Sequence, residues 1–276
     1  MVNSRCDGVI LRLLWVFVNI EPGIPYKNGL WVVVVERGKV GRIEGMEEIE
    51  TKIVATIGPA SVDLVKELVE AGADYVRINT AYGDEGQYET VLDSLEEVGG
   101  EVEVIWDIKE LGALEYAQAR GIGVVAVSFA EREGQITEVR ERIEGVRVIA
   151  KIESRPGVEN FEKILAVSDG IMVARGDLGR AVLVERVPPL QKEFTRKTLE
   201  AGKFLITATE MLLSMVEKPE PTRAEVSDVA NAIFEHSSAV MLSEETAIGK
   251  YPVESVRMMR RIIVEAEKWN RENSLS

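Results

Sequence analysis

The sequence predicts an α/β protein of the (β/α)₈ TIM barrel class, with a short β-rich extension at the N-terminus. From Thr51 onward, eight short runs rich in Val, Ile and Ala alternate with amphipathic stretches. Each run is nearly continuous in apolar residues, which is typical of parallel strands covered on both faces. Eight strand–helix units within roughly 220 residues suit a closed barrel, and a doubly wound open sheet is the alternative.

The predicted elements divide the chain into an extension over residues 1–50 and a barrel over residues 51–276. Within the extension, residues 29–45 predict a hairpin around Arg37-Gly38, and residues 9–20 are another possible strand. The first barrel helix is expected over 61–72, with Ser61 as its cap and Gly72 at its end, and the last over about 252–269. The predicted strands are 52–58, 74–79, 102–109, 123–129, 146–153, 169–174, 203–209 and 238–243.

Composition and charge exclude several classes of function. The net charge of −14 comes with no basic stripe, which argues against nucleic-acid binding. The apolar run over 9–20 is interrupted by Arg12 and is shorter than the roughly 20 residues that span a bilayer. It also lacks a clean small-residue cleavage site, so we expect a cytoplasmic protein with no membrane segment.

The scarcity of Cys and His restricts any metal site. Cys6 is the only cysteine and His236 the only histidine, which excludes an intramolecular disulfide, a thiolate cluster and a His-rich metal site. A metal must therefore be held by oxygen ligands, which favours Mg²⁺ or Mn²⁺. His236 itself, just before the last predicted strand, is expected to be a structural or surface residue.

Polar side chains recur where the predicted strands end. Residues i and i+2 of a strand point the same way, and the C-terminal ends of barrel strands meet at one rim, where barrel enzymes keep their active sites. Ordinary strand-to-loop transitions explain any one such pair equally well, but five together predict a site at this rim. The pairs are Arg77 and Asn79, Asp107 and Lys109, Lys151 and Glu153, Thr207 and Thr209, and Ser243 and Glu245.

The segment Ala174-Arg175-Gly176-Asp177-Leu178-Gly179 follows the sixth predicted strand. Its glycines permit a sharp turn whose backbone N–H groups can receive a carboxylate or a phosphate, although such a segment can also be a simple turn. Asp177 and Glu153, at adjacent strand ends, could form a two-carboxylate Mg²⁺ site, because Mg²⁺ takes its other ligands from substrate and water.

Four long segments, over 51–61, 148–179, 208–233 and 240–259, resemble the pyruvate kinase family, and the resemblance extends over about residues 51–268. It implies that Lys151 neutralises the phosphoryl group and the enolate, and that Glu153 and Asp177 hold the catalytic divalent metal. It implies further roles for the remaining rim residues. These are the Gly176 and Asp177 amides for the substrate carboxylate, Thr209 near the face where the enolate is protonated, Arg77 and Asn79 in the phosphate and monovalent-cation region, and Ser243 and Glu245 on the proton-relay strand.

The sequence also departs from the family pattern. Residues 107–112 run almost directly into the next helix where the family has a mobile lid domain, and no C-terminal regulatory domain follows the barrel in this sequence. The arginine that normally follows the third strand has no counterpart. Ala81 and Ile108 stand where the family has hydroxyl ligands of K⁺, so K⁺ dependence is doubtful. Tyr82 and Ile248 replace a histidine and a lysine associated with the nucleotide.

Three hypotheses are compatible with this pattern. The first is a lid-less, Mg²⁺-dependent phosphotransferase that acts on phosphoenolpyruvate or pyruvate with ADP or ATP. The second is an enolate-forming 2-oxo-acid lyase, decarboxylase or tautomerase, since the retained residues are those that stabilise an enolate. The third is a non-catalytic binding or assembly protein. The sequence leaves open whether the chain forms a homo-oligomer.

Overall fold

The computed structural model describes residues 35–36, 39–40, 49–99 and 102–273. Eight parallel strands form a closed barrel in which each strand pairs with its neighbours in the chain and the last pairs with the first. The predicted barrel class is thereby confirmed and the open sheet excluded, and every strand lies within two residues of its predicted bounds. The strands are β1 (Lys52–Ile57), β2 (Tyr75–Asn79), β3 (Glu103–Ile108), β4 (Val124–Val127), β5 (Arg147–Ile152), β6 (Gly170–Ala174), β7 (Phe204–Ala208) and β8 (Ala239–Leu242).

Helices connect the strands and form the outer layer. They are α1 (Val65–Ala71), α2 (Glu85–Val98), α3 (Leu114–Ala119), α4 (Glu133–Arg142), α5 (Arg155–Glu159), α6 (Phe161–Val167), α7 (Arg175–Ala181), α8 (Val187–Glu200), α9 (Arg223–Phe234), α10 (Glu244–Ala247) and α11 (Pro252–Asn273). None of the helices in the described ranges combines the length and apolar composition needed to cross a bilayer.

The first barrel helix begins later than the sequence predicts. Ser61 was expected to cap it, but α1 begins at Val65 and Leu64 occupies the cap position. The Ser61 hydroxyl instead accepts a hydrogen bond from the Gly58 N–H at 3.2 Å, which closes the loop after β1. At the other end Gly72 terminates the helix with a φ of 116°, as predicted, because this left-handed conformation favours glycine.

Apolar side chains fill the barrel interior, so the barrel is a packed core and not a pore. The interior layer includes Ile105, Ile149 and Met241, all nearly inaccessible to solvent. Side chains two residues further along a strand point the same way. Asp107, Lys151 and Ser243 therefore project toward the barrel axis at the C-terminal end.

Two residues, Lys109 and Glu110, separate the end of β3 from a 3₁₀ turn over Leu111–Ala113 that leads into α3. Trp106 fixes this short connection, because its Nε1 donates to the Ala113 carbonyl at 2.8 Å. The Trp106 ring also stacks on Tyr116, with ring centres 5.0 Å apart. The mouth of the barrel beside β3 is therefore bordered by a tight turn.

The segment before β1 contacts the last helix. The Glu267 carboxylate of α11 accepts from the Thr51 N–H at 2.7 Å and from the Glu50 N–H at 3.0 and 3.1 Å. Further upstream, strands Val35–Glu36 and Lys39–Val40 pair antiparallel, in agreement with the predicted hairpin around Arg37-Gly38. The possible strand over 9–20 lies outside the described residues, and the β-rich extension as a whole stays a prediction.

Candidate active site at the C-terminal mouth of the barrel

A cavity of about 850 Å³ opens at the C-terminal ends of the strands. The polar strand ends converge there, as the sequence pattern predicts. The predicted site residues that line the cavity are Arg77, Asn79, Lys151, Glu153, Asp177, Thr209 and Ser243. Lys109 lines it as well. The other predicted residues, Asp107, Gly176, Thr207 and Glu245, do not line it.

A buried carboxylate, Asp107, organises the cationic side of the cavity. Its side chain is fully buried and lies 2.7 Å from Arg77 Nε and 2.9 Å from Lys151 Nζ. It also accepts a hydrogen bond from the Ser128 hydroxyl at 2.8 Å. Burial alone would raise the pKa of Asp107, but the charges and hydrogen bonds of Arg77 and Lys151 lower it overall. Asp107 is therefore ionised and holds both cations in place.

Arg77 is anchored by a second contact, and the Asn79 side chain is held by a backbone N–H group. Arg77 Nη1 donates to the Thr56 hydroxyl at 3.0 Å, and that hydroxyl donates to the Leu242 carbonyl at 2.8 Å. The Asn79 Oδ1 accepts from the Ala81 N–H at 3.1 Å. Both side chains thus hold a fixed orientation at the edge of the cavity before any ligand arrives.

Glu153 carries a buried oxygen that accepts no hydrogen bond from the described residues. Its Oε1 accepts from the Phe129 N–H at 2.8 Å. Its Oε2 lies 3.6 Å from Lys151 Nζ and has no hydrogen-bond partner in the part of the chain that the structure describes. Burial raises the pKa of Glu153, against the lowering effect of the Lys151 charge and the Phe129 N–H. A buried acceptor without a donor is costly unless something else binds it.

Asp177 supplies a second carboxylate to the same cavity. It lies in the first turn of α7, is half-exposed, and pairs with Arg180 at 3.2 Å. Its charge adds to the raised pKa of Glu153, so the two carboxylates affect each other electrostatically. No group of three or more side chains suited to hold a metal occurs within residues 49–99 and 102–273. The pair nevertheless fits Mg²⁺ or Mn²⁺, which bind through one or two carboxylates and complete their shell with water and substrate.

The arrangement does not fit K⁺ in the same way. The two oxygens of Asp107 already contact two cationic side chains, and the Asn79 amide oxygen already accepts a backbone N–H. Ala81 and Ile108 offer no side-chain oxygen. The doubt about K⁺ dependence stays a prediction from the sequence.

Thr209 and Gly176 contact each other directly. The Gly176 N–H donates to the Thr209 Oγ1 at 2.7 Å, and that hydroxyl donates to the Ala208 carbonyl at 2.6 Å. The Gly176 amide, expected to receive a substrate carboxylate, is thus engaged by Thr209. Asp177 lies beside it in the first turn of α7, where backbone N–H groups have no intrahelical acceptor.

Two members of the predicted polar pairs point elsewhere. Thr207 was expected to point with Thr209, but the interior positions of β7 are Ile206 and Ala208, so Thr207 faces outward. Its hydroxyl lies 2.8 Å from that of Ser237. Thr209 reaches the cavity because the chain leaves the strand with a φ of 70° at this residue. The expectation that residues i and i+2 point the same way therefore fails once the strand has ended.

Glu245 lies behind Ser243 instead of beside it. Glu245 belongs to α10, is fully buried, and accepts from the Leu212 and Ser243 N–H groups at 2.8 Å each. Burial raises the pKa of Glu245, and these N–H groups oppose the shift. Ser243, by contrast, lines the cavity, and its buried hydroxyl has no hydrogen-bond partner among the described residues. His236 lies in the turn before β8 and does not line the cavity, consistent with a structural role.

Positive and negative charges balance around the cavity. Four cationic side chains and three carboxylates line it. A fourth carboxylate, the buried Asp107, pairs with the cation Arg77 and completes the balance. The cations are Arg77, Lys109, Lys151 and Arg180, and the carboxylates are Glu153, Asp177 and Glu244. Lys109 lies over the Phe129 ring, 5.8 Å from its centre. A small anion can be neutralised here, and a bound divalent cation would make the site positive.

Asp107, Ser128 and Arg175 were not assigned a role from the sequence. The sequence could have indicated the role of Asp107, since a carboxylate at the end of the apolar run in β3 must be paired when it is buried. Ser128 at the end of the fourth predicted run carried no comparable signal. Arg175 lies within the segment before Asp177, but its contacts depend on the turn after β7, which the sequence does not define.

Comparison with known proteins gives a consistent result. The family description "pyruvate kinase, barrel domain" matches residues 107–256. The pyruvate kinase of Chlamydia muridarum is 49% identical over 165 residues, which cover 58% of this chain and 34% of that protein. The pyruvate kinase of Geobacillus stearothermophilus is 50% identical over 154 residues, 54% of this chain and 26% of that protein. The pyruvate kinase of Sporosarcina psychrophila is 51% identical over 152 residues, which cover 53% of this chain and 26% of that protein. The chain thus matches only about a quarter to a third of the length of these curated relatives.

Proposed function

The chain belongs to the pyruvate kinase family, and from this premise we propose that it is a Mg²⁺- or Mn²⁺-dependent phosphotransferase. The reaction combines phosphoenolpyruvate, ADP and a proton to give pyruvate and ATP, or runs in reverse. The observation that carries the proposal is that Lys151, Glu153 and Asp177 line one cavity, and that a buried Glu153 oxygen accepts no hydrogen bond from the described residues. The proposal includes a cytoplasmic location and these small molecules as the partners.

Lys151 is the residue that meets the reacting oxygen. Its ammonium group is buried between Asp107 and Glu153, so it holds a fixed position at the floor of the cavity. A fixed positive charge in a water-poor site stabilises an oxyanion more strongly than water does. Lys151 therefore neutralises the charge on the substrate oxygen that links phosphorus and carbon, both before and after the P–O bond breaks.

Glu153 and Asp177 are the residues that would hold the divalent cation. When bound, that cation supplies Lewis-acid stabilisation to the substrate oxygens. The two carboxylates would fix its position relative to Lys151. The Gly176 N–H is engaged by Thr209, so the Asp177 N–H in the first turn of α7 is the group that would meet the substrate carboxylate. Arg77, anchored by Asp107 and Thr56, binds the transferred phosphoryl group.

Proton delivery to the substrate methylene carbon falls to the hydroxyl side of the cavity. Thr209 Oγ1 is held by the Gly176 N–H and the Ala208 carbonyl, so it can orient a water or a substrate atom beside the carbon. The buried Ser243 hydroxyl has no partner among the described residues, and Glu245 fixes the Ser243 backbone. Proton transfer by positioned groups of this kind contributes about 10²–10⁴-fold in rate.

Enolate chemistry without phosphoryl transfer is the second candidate, and two observations favour it. Only two residues separate β3 from the following turn, so the connection after β3 is too short to form a lid over the cavity. Phosphoryl transfer depends on excluding water, because water competes as the acceptor. The balanced charges also provide no surplus of cations for a polyphosphate. A 2-oxo-acid lyase, decarboxylase or tautomerase needs neither feature.

Deuterium exchange into pyruvate separates these candidates. The exchange of the methyl protons in D₂O with Mg²⁺ is followed by NMR, with and without ATP and inorganic phosphate, alongside ATP formation from phosphoenolpyruvate and ADP. ATP formation supports the phosphotransferase. Exchange without ATP formation supports the enolate-forming enzyme. Absence of both activities, with failure to bind Mg²⁺ and the enolate mimic oxalate, refutes both and leaves a non-catalytic protein.

A further inference from the structure

The side chain of Arg175, the first residue of α7, contacts the turn that follows β7. Its guanidinium is largely buried and donates to the Thr209 carbonyl from Nε at 3.2 Å and from Nη2 at 2.8 Å. Nη2 also contacts the Glu210 carbonyl at 3.3 Å and the Met211 sulfur at 2.8 Å. On the other side, Nη1 pairs with Asp228 of α9 at 2.7 Å. One side chain thus binds three successive residues of the turn.

That turn has a conformation that its residues do not favour. Thr209 has a φ of 70° and Glu210 a φ of 53°, so two consecutive residues other than glycine are left-handed. A β-branched residue such as Thr209 is rarely found in this region, and it persists only where the surroundings impose it. Arg175 supplies such surroundings, because its N–H groups bind the carbonyls that this conformation turns toward α7.

The conformation decides where the Thr209 hydroxyl lies. Thr207, two residues earlier, faces the helix layer, and an extended chain would point Thr209 the same way. The left-handed turn instead brings Thr209 to the cavity, where its hydroxyl meets the Gly176 N–H at 2.7 Å. Gly176 directly follows Arg175, so α7 contacts both the carbonyl and the hydroxyl of Thr209.

The far end of the turn is held separately. The Leu212 N–H donates to Glu245 Oε1 at 2.8 Å, and the other oxygen of that carboxylate accepts from the Ser243 N–H. Leu212 and Met211 are both fully buried. The end of the turn is therefore anchored without Arg175, so that losing the guanidinium contacts should move Thr209 and Glu210 without unfolding the segment.

We propose that Arg175 is a positioning residue that imposes the left-handed conformation on Thr209 and so places its hydroxyl in the active site. The proposal rests on the function proposed above, because it assigns Arg175 an effect on the step in which the substrate carbon gains or loses a proton. Arg175 acts through Thr209 and touches no substrate. Substrate and metal binding should therefore depend on it much less than the turnover rate does.

The test compares Arg175→Lys, Thr209→Ala and the double variant in the pyruvate exchange assay. Lysine keeps the charge but cannot bind the Thr209 carbonyl, the Glu210 carbonyl and Asp228 together. We expect Arg175→Lys to lower kcat by about 10²-fold, the loss that follows from displacing a reacting group by about 1 Å. KM for pyruvate and the affinity for Mn²⁺ should stay within about twofold. In the Thr209→Ala background, Arg175→Lys should cause almost no further loss, because coupled residues are non-additive.

Arg140→Lys is the matched control. The Arg140 guanidinium also binds a backbone carbonyl and a carboxylate, those of Val167 and Asp169, but at the opposite end of the barrel. It should leave kcat unchanged. The proposal would be overturned if the kcat losses of the two single variants multiply in the double variant, or if Arg175→Lys also loses Mn²⁺ affinity through Asp177.

A measurement that needs no activity separates this proposal from the proposed function. The ¹³C-labelled γ-methyl resonance of Thr209 is recorded in the metal-free protein. We expect it to shift in Arg175→Lys and to stay in place in Arg140→Lys. If the wild type shows neither exchange nor ATP formation but the methyl shifts as expected, the proposed function fails and the positioning role stands. An unmoved methyl in Arg175→Lys refutes the positioning role whatever the activity.

Discussion

Replacing Lys151 with methionine tests the centre of the proposed mechanism. Methionine keeps most of the length and apolar volume of the lysine stem and removes the ammonium group. That group lies 2.9 Å from Asp107, 3.6 Å from Glu153 and 2.9 Å from the Ser128 hydroxyl. Its loss removes the positive charge that faces the substrate oxygen. We expect a fall in the pyruvate exchange rate of at least about 10²–10³-fold, as for a lost oxyanion donor.

The same change has a cost in stability that the structure bounds. Removing one partner of a buried ion pair costs about 3–5 kcal/mol. Asp107 keeps Arg77 at 2.7 Å and Ser128 at 2.8 Å, so the loss should fall below that range, at about 2–3 kcal/mol. Urea unfolding measures this loss, and exchange is then assayed at a temperature where the variant is folded.

Lys203→Met is the control for Lys151→Met. Lys203 is half-buried and donates to the Leu165 and Ala166 carbonyls, and it directly precedes β7 at the N-terminal end of the barrel. Its replacement should reduce stability and leave the exchange rate unchanged. A folded Lys151→Met variant that keeps its exchange rate within a few-fold of the wild type would refute the role of Lys151 in both catalytic candidates.

Glu153→Gln should weaken Mn²⁺ binding by at least about 10-fold, since it removes a charged ligand; an unchanged titration would show that the carboxylate is not a ligand. Burial raises the folded-state pKa of Glu153 above its usual 4.5, so protonation favours the metal-free fold. The stabilisation of the fold by protonated Glu153 is complete below pH 4.5 and is lost as the pH rises through the folded-state pKa. Glu153→Gln should therefore gain stability relative to the wild type across that interval, and a difference that does not vary with pH would contradict this reasoning. Gly58→Ala should lose about 1–3 kcal/mol, because a Cβ there would lie 2.6 Å from the Ala247 carbonyl oxygen. Gly112→Ala, with nothing within 4 Å, should lose much less. Equal melting temperatures of the two glycine variants would refute the close approach of α10 to the β1 loop.

Most of the fold could be predicted from the sequence because parallel barrel strands are buried on both faces. Runs such as 124–127 and 170–174 are apolar along their whole length. Such a run identifies a buried strand without any knowledge of where the flanking turns lie. The start of α1 was wrong for the opposite reason. Ser61 has the side chain of a helix cap, but a loop residue, Gly58, binds its hydroxyl instead.

The candidate site also contains residues whose direction the sequence pattern predicted and residues for which it did not. Strand alternation predicted that Lys151 and Glu153 point to the same rim, and both line the cavity, since Lys151 lies within β5 and Glu153 directly follows it. Thr207 and Glu245 do not line it, because alternation holds only along an extended strand. A left-handed residue after β7 and a helical turn after β8 each change the direction of the next side chain. Such turns depend on contacts with distant residues, as Arg175 and Thr209 illustrate.

The contact between Glu267 and the segment before β1 brings the first and last described parts of the barrel next to each other. Residues 50 and 267 are hydrogen-bonded although 217 positions separate them. A short linker could therefore join residue 273 to residue 49, and new termini could be opened in an exposed loop away from the mouth, such as the one between α4 and β5. We expect such a circular permutant of residues 49–273 to fold, because permutation is tolerated where the two ends that are joined lie close together. The order of the elements along the chain is thus separable from the arrangement that forms the site.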